Sequence, residues 1–506
     1  MSHLCVLICR VTDDDDDDGQ MAELACVDVP SIVPGFRVTH LDRLEESVVQ
    51  SGQQVLRRLC ELQWEEMDVA AVARYQRCQP PGAVVADGYE TLTVASRLGT
   101  LRLRRQVCVQ TQTRTHVMPG NALLPEHQGM LITRGLAEWA CLLPQELPFA
   151  TVARLLGWQT GEPGALSATM VRTLVRDHGG RIRRVERSRA IALLERPPHG
   201  SQRLQVVPHT QPRRRAGWPQ ALNAVVEATL AQEQAGPPAG VSRADWERVL
   251  AARRAEAQLG VPDLRVLGPQ IAPGQLLLTL DEVLTPAREP GRFHELRTAC
   301  LATTEGRRYL SGTGDAFLVQ VLAAVRTCYD RSLLVLADGA RWIRAFYRDY
   351  LAPLPQATML LDWHHLKHKC HEVAGRICAG RDAKVRLLRR VVRRLWAGDV
   401  PRAVRLLEAY RPHAKDQGAL DDLIGYLNAR VEWIPNYRAR RRQREYIGSG
   451  LAEKANDRIV ARRQKNRGMQ WSAQTSQTLA TLRTLTLNGA WDTYWQEREL
   501  MPLCAA

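Results

Sequence analysis

This 506-residue sequence lacks paired cysteines of the C-x-x-C type and lacks any long hydrophobic run. Its twelve cysteines are dispersed, which argues against a zinc ribbon or a dense disulfide framework and favours buried, reduced thiols. No apolar stretch approaches the roughly 18–20 residues that span a bilayer. The apolar start at residues 5–9 is too short for a secretion signal, so we expect a cytoplasmic protein.

Acidic residues are also in short supply. The 54 Asp and Glu are outnumbered by 69 Lys and Arg, which gives a net charge of +15. Six of the acids form a single run at residues 13–18, so the rest of the chain is more basic still. Such an excess predicts a polyanionic partner, and without a membrane segment it favours nucleic acid. The run itself lies in residues 1–35, which we expect to form a disordered acidic tail.

The next three parts of the chain differ in their hydrophobic pattern. Residues 36–85 have apolar positions at helical spacing and predict a helical N-terminal segment. Residues 86–180 begin with two alternating runs around Gly99, which predict a β-hairpin with a basic face. Helices follow, the last one capped by Ser167, in a helix-turn-helix outline whose alternative is an ordinary helical hairpin. Residues 181–270 have the composition of a linker with helices, one of them at about 220–234.

Short apolar strands replace this pattern after residue 270. Three of the strands have an aspartate at or near their C-terminal end: Asp281, Asp338 and Asp362. The order of three strands, helix, strand, helix and strand predicts an α/β sandwich with a sheet covered on both faces. Ligands bind at the C-terminal edge of such sheets. Carboxylates gathered there would repel each other unless a cation lay between them.

Two basic segments lie in the second half of the chain. Residues 366–440 predict an all-helical insertion, within which 385–396 has an apolar seam and arginines on its other faces. These arginines form either a solvated face or, as we expect, a contact with the DNA backbone. Residues 438–467 hold eleven Lys or Arg and only three acids, one of which is Glu453. Taken alone, Glu453 is either a solvated ion-pair partner or a metal ligand kept ionised by nearby positive charge.

At these residues the sequence resembles the DDE transposases of bacterial insertion sequences, most closely the ISKra-type group. The matching motifs are Leu-Thr-Leu-Asp at 278–281, Leu-Ala-Asp-Gly-Ala-Arg-Trp-Ile at 336–343, Leu-Asp-Trp-His-His at 361–365, Ile-Gly-Ser-Gly-Leu-Ala-Glu at 447–453 and Asn-Gly-Ala-Trp at 488–491. The resemblance is continuous over about 275–495 and looser over 90–178.

The resemblance implies an α/β RNase H-like catalytic core over 271–506 with an all-helical insertion at about 366–440. A mainly helical DNA-binding region with a β-hairpin would precede it. Carried over by motif, Asp281, Asp338 and Glu453 would be the catalytic triad and would hold Mg²⁺ or Mn²⁺. Asp362, with His364 and His365, would support the site, direct metal ligation by Asp362 being the alternative. The residues expected to bind DNA are Arg172, Arg440, Arg441, Arg442, Arg462, Arg463 and Lys465.

The sequence departs from the family pattern at two positions. Only Cys108 stands where relatives often carry paired cysteines, which argues against an N-terminal zinc ribbon. Glu282 follows Asp281 where the family commonly has glycine, and on an extended strand its side chain would point away from Asp281. His364, His368 and His371 share a helical face and are a candidate zinc group, although we expect them to contact phosphate or line the site.

The function implied by the resemblance is that of a DNA transposase. It would bind the terminal inverted repeats of an insertion sequence and catalyse metal-dependent DNA strand cleavage and strand transfer, the recombination chemistry of transposition. Its partner would be double-stranded DNA, both transposon ends and target, with at least a dimer assembled on DNA at the bacterial nucleoid. Two alternatives are a transposase-derived DNA-binding protein without catalysis and a metal-dependent nuclease that does not join strands.

Overall fold

The computed structural model describes residues 4–12, 20–29, 40–124, 129–196, 202–208, 236–237, 240–249, 269–466, 468–497, 500, 501 and 503. The strands are β1 (Leu4–Thr12), β2 (Gln20–Val29), β3 (Val84–Ser96), β4 (Gly99–Gln110), β5 (His116–Val117), β6 (Val207–Pro208), β7 (Gln275–Pro286), β8 (Phe293–Ala302), β9 (Gly306–Gly312), β10 (Ser332–Ala337) and β11 (Ala357–Leu361). The helices are α1 (His40–Arg77), α2 (Arg134–Leu142), α3 (Phe149–Thr160), α4 (Ala168–Leu194), α5 (Gly314–Cys328), α6 (Arg341–Phe346), α7 (Trp363–Ile377), α8 (Arg381–Trp396), α9 (Val400–Tyr410), α10 (Gln417–Asn428), α11 (Tyr437–Arg442), α12 (Gly450–Asn456), α13 (Arg462–Gln464), α14 (Ala473–Leu487) and α15 (Trp491–Glu497).

The N-terminal part contains a strand pair. β1 and β2 run antiparallel, with Leu7 opposite Cys26. The prediction of a disordered tail over residues 1–35 is therefore wrong for these two segments. Their apolar and β-branched residues favour a strand, whereas the prediction rested on the acidic run between them. The run itself, at residues 13–18, lies outside the described residues.

Helix α1 lies along the open edge of the β3–β4 hairpin. Three of its side chains, spaced so that they share one helical face, bond to backbone groups of every second residue of β4. These bonds join Glu61 Oε1 to Arg102 N (2.8 Å), Trp64 Nε1 to Arg104 O (3.0 Å) and Asp68 Oδ2 to Gln106 N (2.7 Å). The helix thus occupies hydrogen-bonding groups of an edge strand that would otherwise be open to another chain.

The second half of the chain is built around a six-stranded sheet in the order β11-β10-β7-β8-β9-β6. β7, β10 and β11 are parallel, and β8 and β9 run antiparallel to their neighbours. One face packs against α5 and α6 through Phe317 and Ile343. The other face packs against α12, α14 and the π-helical turn between α12 and α13, through Ala455, Ile459 and Ala480. The sheet is covered on both faces, as the near-continuous apolar strands predict.

Helix α4 joins the N-terminal helices to the C-terminal end of the chain. Ser167 caps it as predicted, by accepting a hydrogen bond from Met170 N (3.2 Å). One hydrophobic core contains Leu174 of α4 together with Leu482 of α14 and residues of α2, α3 and α15. The predicted boundary between residues 86–180 and the later regions is therefore wrong, because the apolar faces of these helices are buried against each other.

The predicted linker over residues 181–270 also needs correction. Its first part continues α4 to Leu194, and Val207 and Pro208 pair with β9 at the edge of the sheet. Residues 243–249 are helical. The helix predicted at about 220–234 lies outside the described residues.

The insertion is helical, as predicted, and consists of α7 to α11. It starts directly after β11, three residues earlier than expected, and has its own core around Leu388, Leu407, Leu423 and Tyr437. The apolar side chains of α8 are buried in this core. The exposed arginines of α8 are Arg381, Arg386, Arg389, Arg390, Arg393 and Arg394. Within the described ranges, every helix is too short or too polar to cross a membrane.

The core shared by α2 to α4, α14 and α15 predicts that these helices unfold together. Replacing the fully buried Leu482 by alanine should destabilise the protein by about 2–5 kcal/mol, because it leaves a cavity in that core. Hydrogen exchange should then show faster opening of α2 and α3, far away in sequence. Leu423→Ala, a matched change in the insertion core, should speed exchange in α7 to α11 instead. Unchanged protection of α2 and α3 in Leu482→Ala would contradict the shared core.

Candidate active site

The register of the three parallel strands brings Asp281, Asp338 and Asp362 into one row. The pairs that fix it are Leu336 with Thr279 and Ala337 with Leu361. Continuing these registers sets Asp338 beside both of the other aspartates. Residues in register on neighbouring parallel strands lie about 4.8 Å apart and point to the same face. That face is the one on which Leu277, Leu336 and Leu451 pack together, at the start of α12.

The buried carboxylate of Asp362 fixes the beginning of α12. Its Oδ2 accepts hydrogen bonds from Ser449 N and from Ser449 Oγ, the latter at 2.6 Å. Its Oδ1 accepts from His365 N at 2.9 Å and thereby caps α7. Ser449 immediately precedes α12, so these bonds tie α12 to the end of β11. One turn later α12 carries Glu453.

Glu453 lies close to Asp362 and His365. One ligand atom of each of these three residues lies within 4.8 Å of the others. In the part of the chain that the structure describes, no group this compact includes Asp281 or Asp338, and none includes His364, His368 or His371. The candidate zinc group is therefore not assembled. Both oxygens of Asp362 accept protein hydrogen bonds, and the same carboxylate belongs to this compact group, so both predicted roles of Asp362, support of the site and metal ligation, stay open.

Asn456, which the sequence analysis missed, connects α12 to the row of aspartates. Its Nδ2 donates to Asp281 Oδ2 at 2.7 Å, and its Oδ1 accepts from Thr298 Oγ1. The second oxygen of Asp281 accepts from Glu282 N at 2.8 Å. Asn456 follows Glu453 by three residues, so both lie on one face of α12. That spacing is the signal that could have identified it.

The gathered carboxylates perturb one another. Burial raises the pKa of Asp281 to about 6, although the bond from Glu282 N opposes the shift, and the nearby charge of Asp338 adds to it. The contact with Asp362, at 3.5 Å between Nδ1 and Oδ1, raises the pKa of His365 to about 9 despite burial. Burial alone would raise the pKa of Asp362, but bonds from His365 and Ser449 lower it well below its usual range. Protonated His365 therefore offsets part of the negative charge.

The donor set fits a hard divalent cation. Among the described contacts, Asp338 uses only Oδ1, which accepts from Ala340 N at 2.8 Å, and the carboxylate of Glu453 has no hydrogen bond or ion pair. Oxygen atoms on Asp338 and Glu453 are thus available to a metal on the face that also carries Asp281. Mg²⁺ and Mn²⁺ prefer such carboxylate ligands.

The side chain of Glu282 points to the opposite face of the sheet from Asp281, as the alternation of side chains along a strand predicts. Its Oε2 accepts from Trp342 Nε1 at 2.8 Å, and Trp342 packs against the opposite face of the sheet from Asp281. The departure from glycine at this position therefore leaves the carboxylate of Asp281 unobstructed by its neighbour.

The residues predicted to bind DNA differ in accessibility. Arg441, Arg442 and Lys465 are exposed. Two more are engaged with acids, since Arg440 pairs with Glu445 at 3.0 Å and Arg462 pairs with Asp457 at 2.9 Å. The basic tract is thus partly neutralised within the protein.

Arg463 was predicted to bind DNA together with its exposed neighbours, but it lies apart from them, at the wall of a cavity. The residue is only 5% exposed, its Nε donates to Pro144 O at 2.7 Å, and its guanidinium lies 4.8 Å from the centre of the Trp471 ring. Burial lowers its pKa to about 10. Arg463 is buried because the N-terminal helices pack against this part of the chain. Arg172 is half-buried, over the ring of Phe149.

Comparison with protein-family models gives a match in the second half of the chain. Residues 306–499, less than half of the chain, match the model of a family described as uncharacterised, UPF0236. The matched region contains Asp338, Asp362 and Glu453 but not Asp281. No curated protein matches the chain.

The raised pKa of Asp281 predicts a pH-dependent effect of Asp281→Asn in metal-free protein. Because the pKa in the folded state lies above the ordinary value near 4, ionising this carboxyl inside the protein is unfavourable, and the full cost is present above about pH 6. The asparagine variant removes this cost but, with one acceptor oxygen instead of two, loses the bond from Glu282 N or from Asn456 Nδ2 at every pH. Its stability relative to wild type should therefore be higher by about 1–2 kcal/mol at pH 8 than at pH 4, where Asp281 is protonated. Denaturant unfolding at both pH values measures the difference.

Added Mg²⁺ at pH 8 should stabilise wild type more than the asparagine variant, because a bound cation stabilises the wild-type carboxylates. Asp349→Asn, a change at an exposed aspartate paired with Arg348 outside the site, serves as the control and should show neither effect. If the stability difference between Asp281→Asn and wild type is the same at pH 4 and pH 8 without metal, the raised pKa of Asp281 is contradicted.

Proposed function

We propose that this protein is a DNA transposase that cleaves DNA strands at the ends of an insertion sequence and joins them to target DNA. The observation that carries the proposal is the row of Asp281, Asp338 and Asp362 on one sheet face, with Glu453 brought over it by α12. Asp338 and Glu453 have oxygens available to a metal, and the carboxylate of Asp281, which accepts two protein hydrogen bonds, lies on the same face. Three carboxylates on one face are the ligand set that two-metal phosphoryl transfer requires. The strand order and the helical insertion support an RNase H-like core.

The residues of the chain have separate roles in this proposal. Asp281, Asp338 and Glu453 would hold Mg²⁺ or Mn²⁺, which when bound polarises the phosphoryl oxygens and activates the attacking hydroxyl. Asn456 orients the carboxylate of Asp281. Asp362 keeps α12 in place through Ser449. Because hydrolysis and strand joining are both in-line displacements at phosphorus, one set of carboxylates can serve both steps.

Exposed positive charge on the insertion supports a grip on the DNA backbone. The arginines of α8 project from the exposed side of a helix whose apolar seam is buried, and they make that side mainly basic. The hairpin β3–β4 and helices α2 to α4 would recognise the terminal repeats. Pairing of two ends would require at least two copies of the chain on DNA.

The catalytic proposal predicts loss of strand cleavage in Asp338→Asn and in Glu453→Gln. Each change removes a charged metal ligand and should lower the rate by roughly 10²–10³-fold, since several kcal/mol of transition-state stabilisation is lost. The measurement uses labelled duplexes made from the DNA that flanks the gene, incubated with plasmid target and Mg²⁺. Nicked ends and joined products are counted separately. Asp349→Asn is the matched control and should act like wild type.

The products distinguish the alternatives. Nicking and joining by wild type, both lost in the two variants, would support the transposase. Nicking without joined product would favour a metal-dependent nuclease. Binding without nicking would favour a DNA-binding protein that has no catalysis. If Asp338→Asn cuts as fast as wild type, the assigned carboxylates are wrong.

The basic face of α8 predicts a specific loss of DNA affinity. Removing Arg389 and Arg393 should weaken binding similarly for all sequences, because they would contact phosphates rather than bases. The slope of log affinity against log salt should fall by about one per lost phosphate contact. Arg402→Ala on α9, whose arginine pairs with Asp399, is the control. Unchanged affinity and slope in the double variant would show that this face is only solvated.

A further inference from the structure

A small cavity lies where the N-terminal helices meet the C-terminal part of the chain. Its volume is about 250 Å³, and it opens between the starts of α3, α4 and α14. Three arginines from distant parts of the sequence contribute to its wall. They are Arg172, Arg288 and Arg463, and the rings of Phe149 and Trp471 line the cavity beside them.

Two aromatic rings hold the guanidinium groups in place. Arg172 and Arg463 lie over the ring of Phe149, at 5.6 and 5.7 Å from its centre. Arg463 also lies over Trp471, and the two rings pack edge to face at 6.2 Å. Guanidinium groups stacked on aromatic faces lose little further freedom when they bind a ligand. The part of the wall formed by Arg172 and Arg463 is thus pre-ordered.

A fourth arginine adds to the charge. Arg176 donates to Thr475 Oγ1 at 2.8 Å and to Ser472 Oγ at 3.2 Å. Burial lowers the pKa of Arg176, and the like charges of Arg172 and Arg288 lower it further, which shows how closely the cations are gathered. The N-terminus of the 15-residue helix α14 also faces this region and carries partial positive charge.

Compensating acid is scarce at the cavity. None of the described lining residues is acidic. The carboxylate that acts on Arg463 is that of Glu146, which is itself paired with Arg483 at 2.6 Å. Arg463 is buried, Arg172 is half-buried and Arg288 is exposed at the rim, so an anion bound among them would offset their mutual repulsion. Fork-shaped guanidinium groups match the oxygens of phosphate.

We propose that this cavity binds a backbone phosphate of DNA, held by Arg172, Arg288 and Arg463. The proposal rests on the proposed function in taking DNA as the source of the phosphate. Arg288 lies seven residues beyond Asp281, just past the end of β7, so the phosphate would lie roughly 20 Å along the same strand from the candidate active site. Arg172 belongs to α4, so one phosphate would connect the N-terminal helices to the strand that carries Asp281.

The test compares wild type with the double variant Arg172→Gln and Arg288→Gln. Neither residue is fully buried, so the fold should persist, as circular dichroism would verify. The variant should bind a labelled DNA duplex roughly tenfold more weakly or worse, with a salt slope smaller by about one. Arg203→Gln, at an exposed arginine paired with Glu305, should bind as wild type does.

A second measurement uses inorganic phosphate as the probe. Phosphate should raise the melting temperature of wild type above that in chloride at equal ionic strength, and should not do so for the double variant. Wild-type DNA affinity and salt slope in the double variant would overturn the proposal. If phosphate stabilises wild type alone while DNA affinity is unchanged, the cavity takes a free phosphate and the DNA assignment is wrong.

Failure of the phosphate site and failure of the proposed catalytic function give different results. A wild-type protein that never cuts DNA, but whose DNA affinity falls in the double variant, would overturn the proposed function and leave this site supported.

Discussion

The candidate site depends on the bonds between the buried carboxylate of Asp362 and Ser449. Asp362 stands at the junction of β11 and α7, so its partners fix the sheet, the insertion and α12 relative to one another. A buried carboxylate that loses its donors is strongly destabilising, which keeps Ser449 in place. From Ser449 onward the geometry follows from helical spacing. Glu453 comes one turn later, and Asn456 comes three residues after that, where it reaches Asp281.

Two groups of like-charged side chains lie near β7, one negative at the strand and one positive just past its end. At one, Asp338 lies between Asp281 and Asp362, with His365 and Arg430 as nearby positive charges. At the other, beyond the end of the strand, Arg288 joins three further arginines. Each arrangement is unfavourable alone and is relieved by a ligand of the other sign. A divalent cation at the first and a phosphate at the second are both supplied when a metal-dependent enzyme binds DNA.

Local pattern predicted the elements but not their assembly. The apolar strands, the aspartates at their ends, the Ser167 cap and the buried seam of α8 all follow from periodicity and from capping chemistry. Contacts between residues hundreds of positions apart have no such signal. This is why the burial of Arg463 against Phe149, the core that joins α4 to α14, and the convergence of Arg172 with Arg288 were not predicted. The prediction of a disordered tail failed for a different reason. It was drawn from the six aspartates at 13–18, although the residues on either side have the composition of strands.

The central claim is that Asp281, Asp338 and Glu453 hold divalent metal on one face of the sheet. Crystals of the full chain grown with Mn²⁺ would test it most directly, because manganese is located by its anomalous scattering. The account predicts an anomalous peak roughly 2.0–2.3 Å from oxygens of these three carboxylates, and its loss in Asp338→Asn. A peak held by Asp362 and His365 without Asp281 and Asp338, or no peak at saturating Mn²⁺, would contradict it.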